Sequence, residues 1–164
     1  MANRVLNKIC DTFALNKADV KDYAFAAVGV FVITALSLGQ LLAKNFKYET
    51  SESMRTAVDV LGGGYSQALI STLFVICILA PIVEELIFRG ALWNFVSKIL
   101  NVNYAFVVIT ILFAMAHKDP AHIAGVFPLS VWLAFVRYRS NSILPCIFAH
   151  ALNNVIISIC IIAS

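Results

Sequence analysis

Ala80-Pro81-Ile82-Val83-Glu84-Glu85-Leu86-Ile87-Phe88-Arg89-Gly90-Ala91-Leu92 is the stretch on which the reading of this chain turns. Two adjacent carboxylates and a guanidinium interrupt a run that is apolar from Ala68 to Val83 and stays helix-like through Trp93, Phe95, Val96 and Ile99. An ionisable side chain at the centre of a spanning helix costs about 2.5–3.5 kcal/mol on insertion scales, so such groups mark function or tight internal pairing. At 3.6 residues per turn Glu85 and Arg89 share a face, and Arg89 can neutralise that carboxylate. Glu84 points about 100° away around the helix, which leaves it for another task. Pro81 is expected to kink the helix just before the charges.

The sequence around this stretch is equally apolar. Of 164 residues, 61% are hydrophobic and 13% charged, against about half and about a quarter in a soluble domain. A first span is expected from Ala24 to Ala43, bounded by Asp22 and Lys44 and about 20 residues long, the length a bilayer core needs. Lys44 to Gln67, with Gly62, Gly63 and Gly64, reads as a loop holding a short helix near Met54 to Leu61. After a break at Asn101 to Asn103 a third run covers Tyr104 to Ala116 and stops at His117 and the Lys118-Asp119-Pro120 turn. A fourth run, Ala121 to Val136, and a fifth, Ile143 to Ala163, flank a basic turn at Arg137 to Asn141. The expected fold class is all-α: a polytopic membrane helix bundle of about five spans enclosing a buried polar cavity.

Residues 1–22 carry no signal-peptide cleavage pattern. Val5, Leu6, Ile9, Phe13 and Leu15 recur at near-helical spacing, which predicts a cytoplasmic amphipathic segment ahead of a helical domain over 23–164. Loop charges orient the spans. Arg4, Lys8, Lys17, Lys21, Arg89, Lys98, Arg137 and Arg139 fall on the N-terminal side, against Lys44, Lys47, Arg55 and Lys118, so the N-terminus is expected in the cytoplasm. The basic residues flank apolar runs instead of clustering with aromatics, which argues against nucleic acid as a partner. Cys10, Cys77, Cys146 and Cys160 form no CxxC pair and read as small packing residues.

Beyond the central stretch, His117 and His150 also sit in or beside apolar runs. Phe113 precedes His117 by one turn and Asn154 follows His150 by one turn, so two further helices present polar groups along single faces. The break at Asn101 to Asn103 is about 17 residues after Glu84 and about 15 before His117, so antiparallel arms would bring those two to similar depth. A lone buried Glu/Arg pair is commonly structural, and a lone His at a helix end is commonly interfacial. Five ionisable groups and an amide on three helices point instead to a site.

Glu84-Glu85 through Arg89 resembles an EExxxR motif, Phe113 to His117 an FxxxH motif, and His150 to Asn154 an HxxxN motif. In that order they are similar to the motifs of the CAAX protease and bacteriocin-processing enzyme family, over about residues 66–160. The resemblance implies an intramembrane endopeptidase acting on a peptide or prenylated peptide within lipid, in the plasma membrane of a prokaryote. It further implies that Glu84 and His117 activate a water, that His150 and Asn154 stabilise the oxyanion, and that Glu85 and Arg89 support the site. Where relatives resemble GxxxG before an R-T-G-S turn, this chain has Ser130, Ala134 and Arg139-Ser140-Asn141-Ser142, which still permit close helix approach and a left-handed turn.

Two chemistries remain open. Glu84 can serve as a general base in a desolvated cavity, or Glu84, His117 and His150 can hold a catalytic zinc with one position left for water. The absence of HExxH weighs toward the metal-free version. A serine nucleophile at Gly64-Tyr65-Ser66 would explain neither Glu84 nor Arg89, and no Asp lies within an apolar run to form a paired-Asp site. The alternative class is a non-enzymatic membrane protein, such as a bacteriocin-immunity factor or a transporter, that uses the same polar cavity for binding or proton relay.

Overall fold

The computed structural model of the chain describes residues 9–43, 67–117 and 120–163. Every regular element among them is helical. Helix α1 is Val20–Ala43. A long rod, α2, covers residues 67–99, followed by α3 (Val102–Met115), α4 (Pro120–Ser140) and α5 (Leu144–Ala163). The expected loop over Lys44 to Gln67, its helix near Met54 to Leu61, the Gly64 to Ser66 stretch and the Lys118-Asp119 turn lie outside the described residues, except that Gln67 already opens α2.

Within α2, Leu69–Ile99 is long and apolar enough to cross a membrane, and Val102–Met115 and Leu144–Cys160 are shorter apolar helices. At 1.5 Å per residue the 31 residues of Leu69–Ile99 reach about 46 Å, more than a hydrocarbon core of about 30 Å, so this rod tilts or projects. Val28, Phe31, Ile70, Phe74, Phe95, Val107, Met115, Phe127 and Ile159 are exposed on the outer surface. A water-solvated monomer does not display apolar side chains on this scale, and this surface is one for lipid.

The core is centred on α4. One cluster, Ala26, Val30, Leu129, Leu133, Val136, Cys146 and Ala149, joins α1, α4 and α5. A second, Trp93, Ala105, Ile109 and Ala134, joins α2, α3 and α4. Gly29 lets α1 lie on α4: a Cβ there would sit 1.9 Å from the Trp132 ring, whose Nε1 donates to the Ala26 carbonyl at 3.0 Å. Asn101 caps α3, its Oδ1 accepting from the Asn103 and Tyr104 amides at 2.9 and 3.1 Å. Asn141 takes φ 50°, the left-handed conformation expected of it, between α4 and α5.

Two expectations need correction, and the N-terminal segment gains a placement. Arg137 and Arg139 belong to the last turn of α4, not to a loop, and the chain reverses at Asn141 to Ile143. Arg89 is fully buried and Arg137 nearly so, and neither can be counted as a loop charge, so the orienting balance is six to four instead of eight to four. The described part of the N-terminal segment, helical over residues 9–13, does not lie apart from the bundle. Asn94 Nδ2 donates to the Asp11 and Thr12 carbonyls at 3.0 and 2.7 Å, the Ile143 amide to the Ala14 carbonyl at 3.1 Å, and Ser142 Oγ to the Asn16 carbonyl at 2.6 Å. Gly90 admits Phe13, whose carbonyl would stand 3.2 Å from a Cβ at that position. Small, polar positions on α2 and in the α4–α5 turn thus dock the segment, which helical periodicity alone does not reveal.

Candidate active site

Pro81 does not act as a simple kink. Helix α2 runs α-helical over Gln67–Phe74, π-helical over Val75–Leu79, α-helical over Ala80–Glu85, π-helical over Leu86–Leu92 and α-helical over Trp93–Ile99. The reason is hydrogen-bond accounting. The Ala80 amide bonds the Val75 carbonyl, five residues back, so it cannot serve Ile76 as it would in an α-helix. The next residue, Pro81, has no N–H to serve Ile76 in the π register. The Ile76 carbonyl is therefore left over, and Asn154 Nδ2 on α5 donates to it at 2.9 Å. Asn153 Nδ2 donates to Asn154 Oδ1 at 3.2 Å, which fixes the amide the same way round.

The second π-turn frees another carbonyl. The Trp93 amide reaches the Phe88 and Gly90 carbonyls, bypassing Arg89, whose carbonyl accepts from Arg137 Nε at 3.0 Å. Two such turns bracket Ala80–Glu85, the segment that carries both carboxylates. Single π-turns are frequent at functional sites.

Glu85 and Arg89 form the expected pair, Nη1 to Oε1 at 2.9 Å with both side chains fully buried. The same Oε1 lies 3.0 Å from His150 Nδ1. A carboxylate oxygen that already accepts from Arg89 takes a second donor there, so Nδ1 carries a proton and Nε2 faces the other side of the ring, toward Glu84. Arg89 Nη2 donates to the carbonyl and hydroxyl of Ser130, each at 3.2 Å, and its guanidinium lies 4.0 Å from the Phe113 ring centroid. Ser130 Oγ in turn donates to the Thr110 carbonyl at 2.9 Å. Glu85 Oε2 and Arg89 Nε have no protein partner among the described residues.

Glu84 differs from its neighbour. Its side chain keeps a third of its surface exposed, and Oε2 stands 3.9 Å from His150 Nε2, too far for a direct hydrogen bond. The structure thus brings Glu84 to His150, and the described ion pairs of Glu84 do not include His117. His117 Nδ1 is tied to the Phe113 carbonyl, one turn back, at 3.0 Å. Its ring reaches the site through Phe113, 5.3 Å away between centroids, with Phe113 5.6 Å from His150. Depth matching across the hairpin places a residue along the helix axis but not around it, so spacing alone does not show that His150 also approaches Glu84.

No three of His, Cys, Asp and Glu among the described residues are grouped closely enough to hold one cation. Of the three expected ligands, Glu84 Oε2 and His150 Nε2 approach to 3.9 Å, and His117 is not grouped with them closely enough to complete a shared zinc site among the described residues. Sequence reasoning missed His122, whose ring packs 4.7 Å from that of His117 across the α3–α4 turn. It also gave Ser130 only a packing role and left Arg137 as a loop charge. A polar residue in each facing helix, at the level of Arg89, was the available signal.

Buried carboxylate, guanidinium and imidazole groups thus cluster in an all-helical bundle with an apolar outer surface, beside a second, accessible carboxylate. Residues 66–156 match the family described as Type II CAAX prenyl endopeptidase Rce1-like, and the chain belongs to that family. It is 27% identical over 139 residues, 81% of its length, to the Bacillus subtilis (strain 168) protein named "Putative membrane peptidase YdiL". The chain spans about half the length of that curated relative, 54% of it. No solved structure matches the chain.

Proposed function

We propose that the protein is an intramembrane endopeptidase that hydrolyses a peptide bond with a water held between Glu84 and His150. The observation that carries this reading is the 3.9 Å approach of Glu84 Oε2 to His150 Nε2, with the far side of the imidazole anchored by Glu85. One water can direct a proton at each of those atoms and turn its lone pair toward a substrate carbonyl. As the water oxygen bonds the carbonyl carbon, Glu84 takes a water proton and the carbonyl oxygen becomes an oxyanion. Asn154 carries a second N–H beside the one given to Ile76, and this donor is suited to the oxyanion. Collapse of the tetrahedral adduct breaks the C–N bond, and Glu84 returns the proton to the leaving nitrogen. Glu85 and Arg89 hold His150, and His117 seats Phe113 against both Arg89 and His150.

The substrate is a peptide presented within the membrane, and membership of a CAAX prenyl endopeptidase family supports a prenylated one. Lys17, Lys21, Lys98 and Arg139 gather at the end where the N-terminal segment meets Asn94 and the α4–α5 turn, which supports a cytoplasmic N-terminus. The deciding experiment compares membrane peptides in cells carrying the native protein and Glu84→Gln. A peptide set that is cut only by the native protein supports a peptidase. Identical peptide profiles, with a phenotype kept by the folded Glu84→Gln protein, would leave a binding or immunity role instead.

A further inference from the structure

Arg137 has no part in the motifs above, yet it is almost completely buried and spends all three arms of its guanidinium. Nε donates to the Arg89 carbonyl at 3.0 Å, Nη1 to Asn141 Oδ1 at 3.0 Å, and Nη2 to Asn94 Oδ1 at 3.1 Å. The Trp93 ring lies 5.5 Å from it. The Arg89 carbonyl is the one that the second π-turn leaves without its helical donor, so Arg137 completes that turn from another helix. The turn sets the direction in which the Arg89 side chain leaves the backbone, and Arg89 in turn holds Glu85 and, through it, His150.

We propose that Arg137 is a positioning residue for the Glu85–Arg89–His150 cluster, fixing the π-turn that aims Arg89 while being anchored on Asn94 and Asn141. It touches no reacting atom. Its shape is what the task requires, because three oxygens in three directions match a planar fork and a lysine ammonium on a flexible stem cannot hold all three. Asn94 is the anchor that also binds the N-terminal segment, through an amide Nδ2 that donates to Asp11 and Thr12 while Oδ1 accepts from Arg137.

The kinetic arm of the test rests on the peptidase reading; the spectroscopic arm does not. Purified full-length protein with ¹⁵N-labelled histidine is compared as native, Arg137→Lys, Asn94→Ala and Asn94→Asp, with folding checked by thermal melting. The chain has three histidines, so His150 is assignable by substitution. Native His150 should show one Nδ1-protonated tautomer, and Arg137→Lys should replace it with an exchange-averaged signal. With the peptide set found above, kcat should fall roughly 10²-fold while KM stays within about twofold, the signature of misaimed groups and not of lost binding. Asn94→Ala should shift His150 in the same direction. Asn94→Asp, which keeps the acceptor for Arg137 but loses the donor for the N-terminal segment, should restore it. A native His150 signal in folded Arg137→Lys overturns the proposal, as does Asn94→Asp behaving like Asn94→Ala. If Arg137→Lys does not fold, the two Asn94 variants decide. Absence of any cleavage by the native protein would sink the peptidase reading alone, with the histidine signals still deciding the role of Arg137.

Discussion

Glu84 and Glu85 are neighbours in sequence with opposite surroundings, and their substitutions should separate cleanly. Glu84→Gln preserves size and leaves the Glu85–Arg89 pair intact, so it should melt like the native protein and lose about 10²-fold or more in turnover of a membrane peptide. Glu85→Gln should act on folding, since it weakens the carboxylate that holds both the buried Arg89 and His150; truncating a buried pair costs about 3–5 kcal/mol, to be read as a lowered melting temperature. Well-folded Glu84→Gln with full turnover would reject the mechanism. The Glu85–Arg89 pair was legible from its spacing of four. The partnership of His150 with both carboxylates was not, because it depends on how α5 is rotated against α2, and no pattern within one helix encodes that rotation.

For the helix α2, the sequence points to Pro81 but not to how its missing N–H is absorbed. Pro81 does disturb the hydrogen-bond ladder, but the disturbance is absorbed as a π-turn whose spare carbonyl is met by Asn154, three helices further along the chain. Hydropathy is blind to this, since an α-turn and a π-turn bury the same side chains. Restoring an N–H at the position should lessen the need for the amide. Asn154→Ala should therefore cost less stability in a Pro81→Ala background than alone, with a coupling of about 1 kcal/mol in a double-mutant thermal melt. Strict additivity would show that Asn154 is not compensating for the proline. Turnover should still fall in both backgrounds if the second N–H of Asn154 serves the oxyanion.

For the whole molecule, the all-helical class was readable from composition and the helix positions to within a few residues, as with α3 at Val102–Met115 against an expected Tyr104 to Ala116. The docking of the N-terminal segment was not, because its bonds are made by backbone carbonyls that carry no sequence signature. A cysteine at Lys98 should react with an impermeant thiol reagent only after the cytoplasmic face is opened; labelling in intact cells would invert the topology. Metal-stripped protein, verified by elemental analysis, should keep its turnover, and loss that zinc alone restores would return the ion to the mechanism. The two π-turns also bear on how this chain can change length. Each is one residue more than a regular helix needs, so a single deletion between 86 and 92 would yield a more regular rod and leave the residues after it close to their present phase. Trp93 and Asn94 would keep their faces toward the bundle, while the carbonyl now met by Arg137 would regain a donor within its own helix. Gaps of one residue are therefore easier to absorb here than in a regular stretch such as Trp93–Ile99, where each would turn the residues beyond it by about 100°.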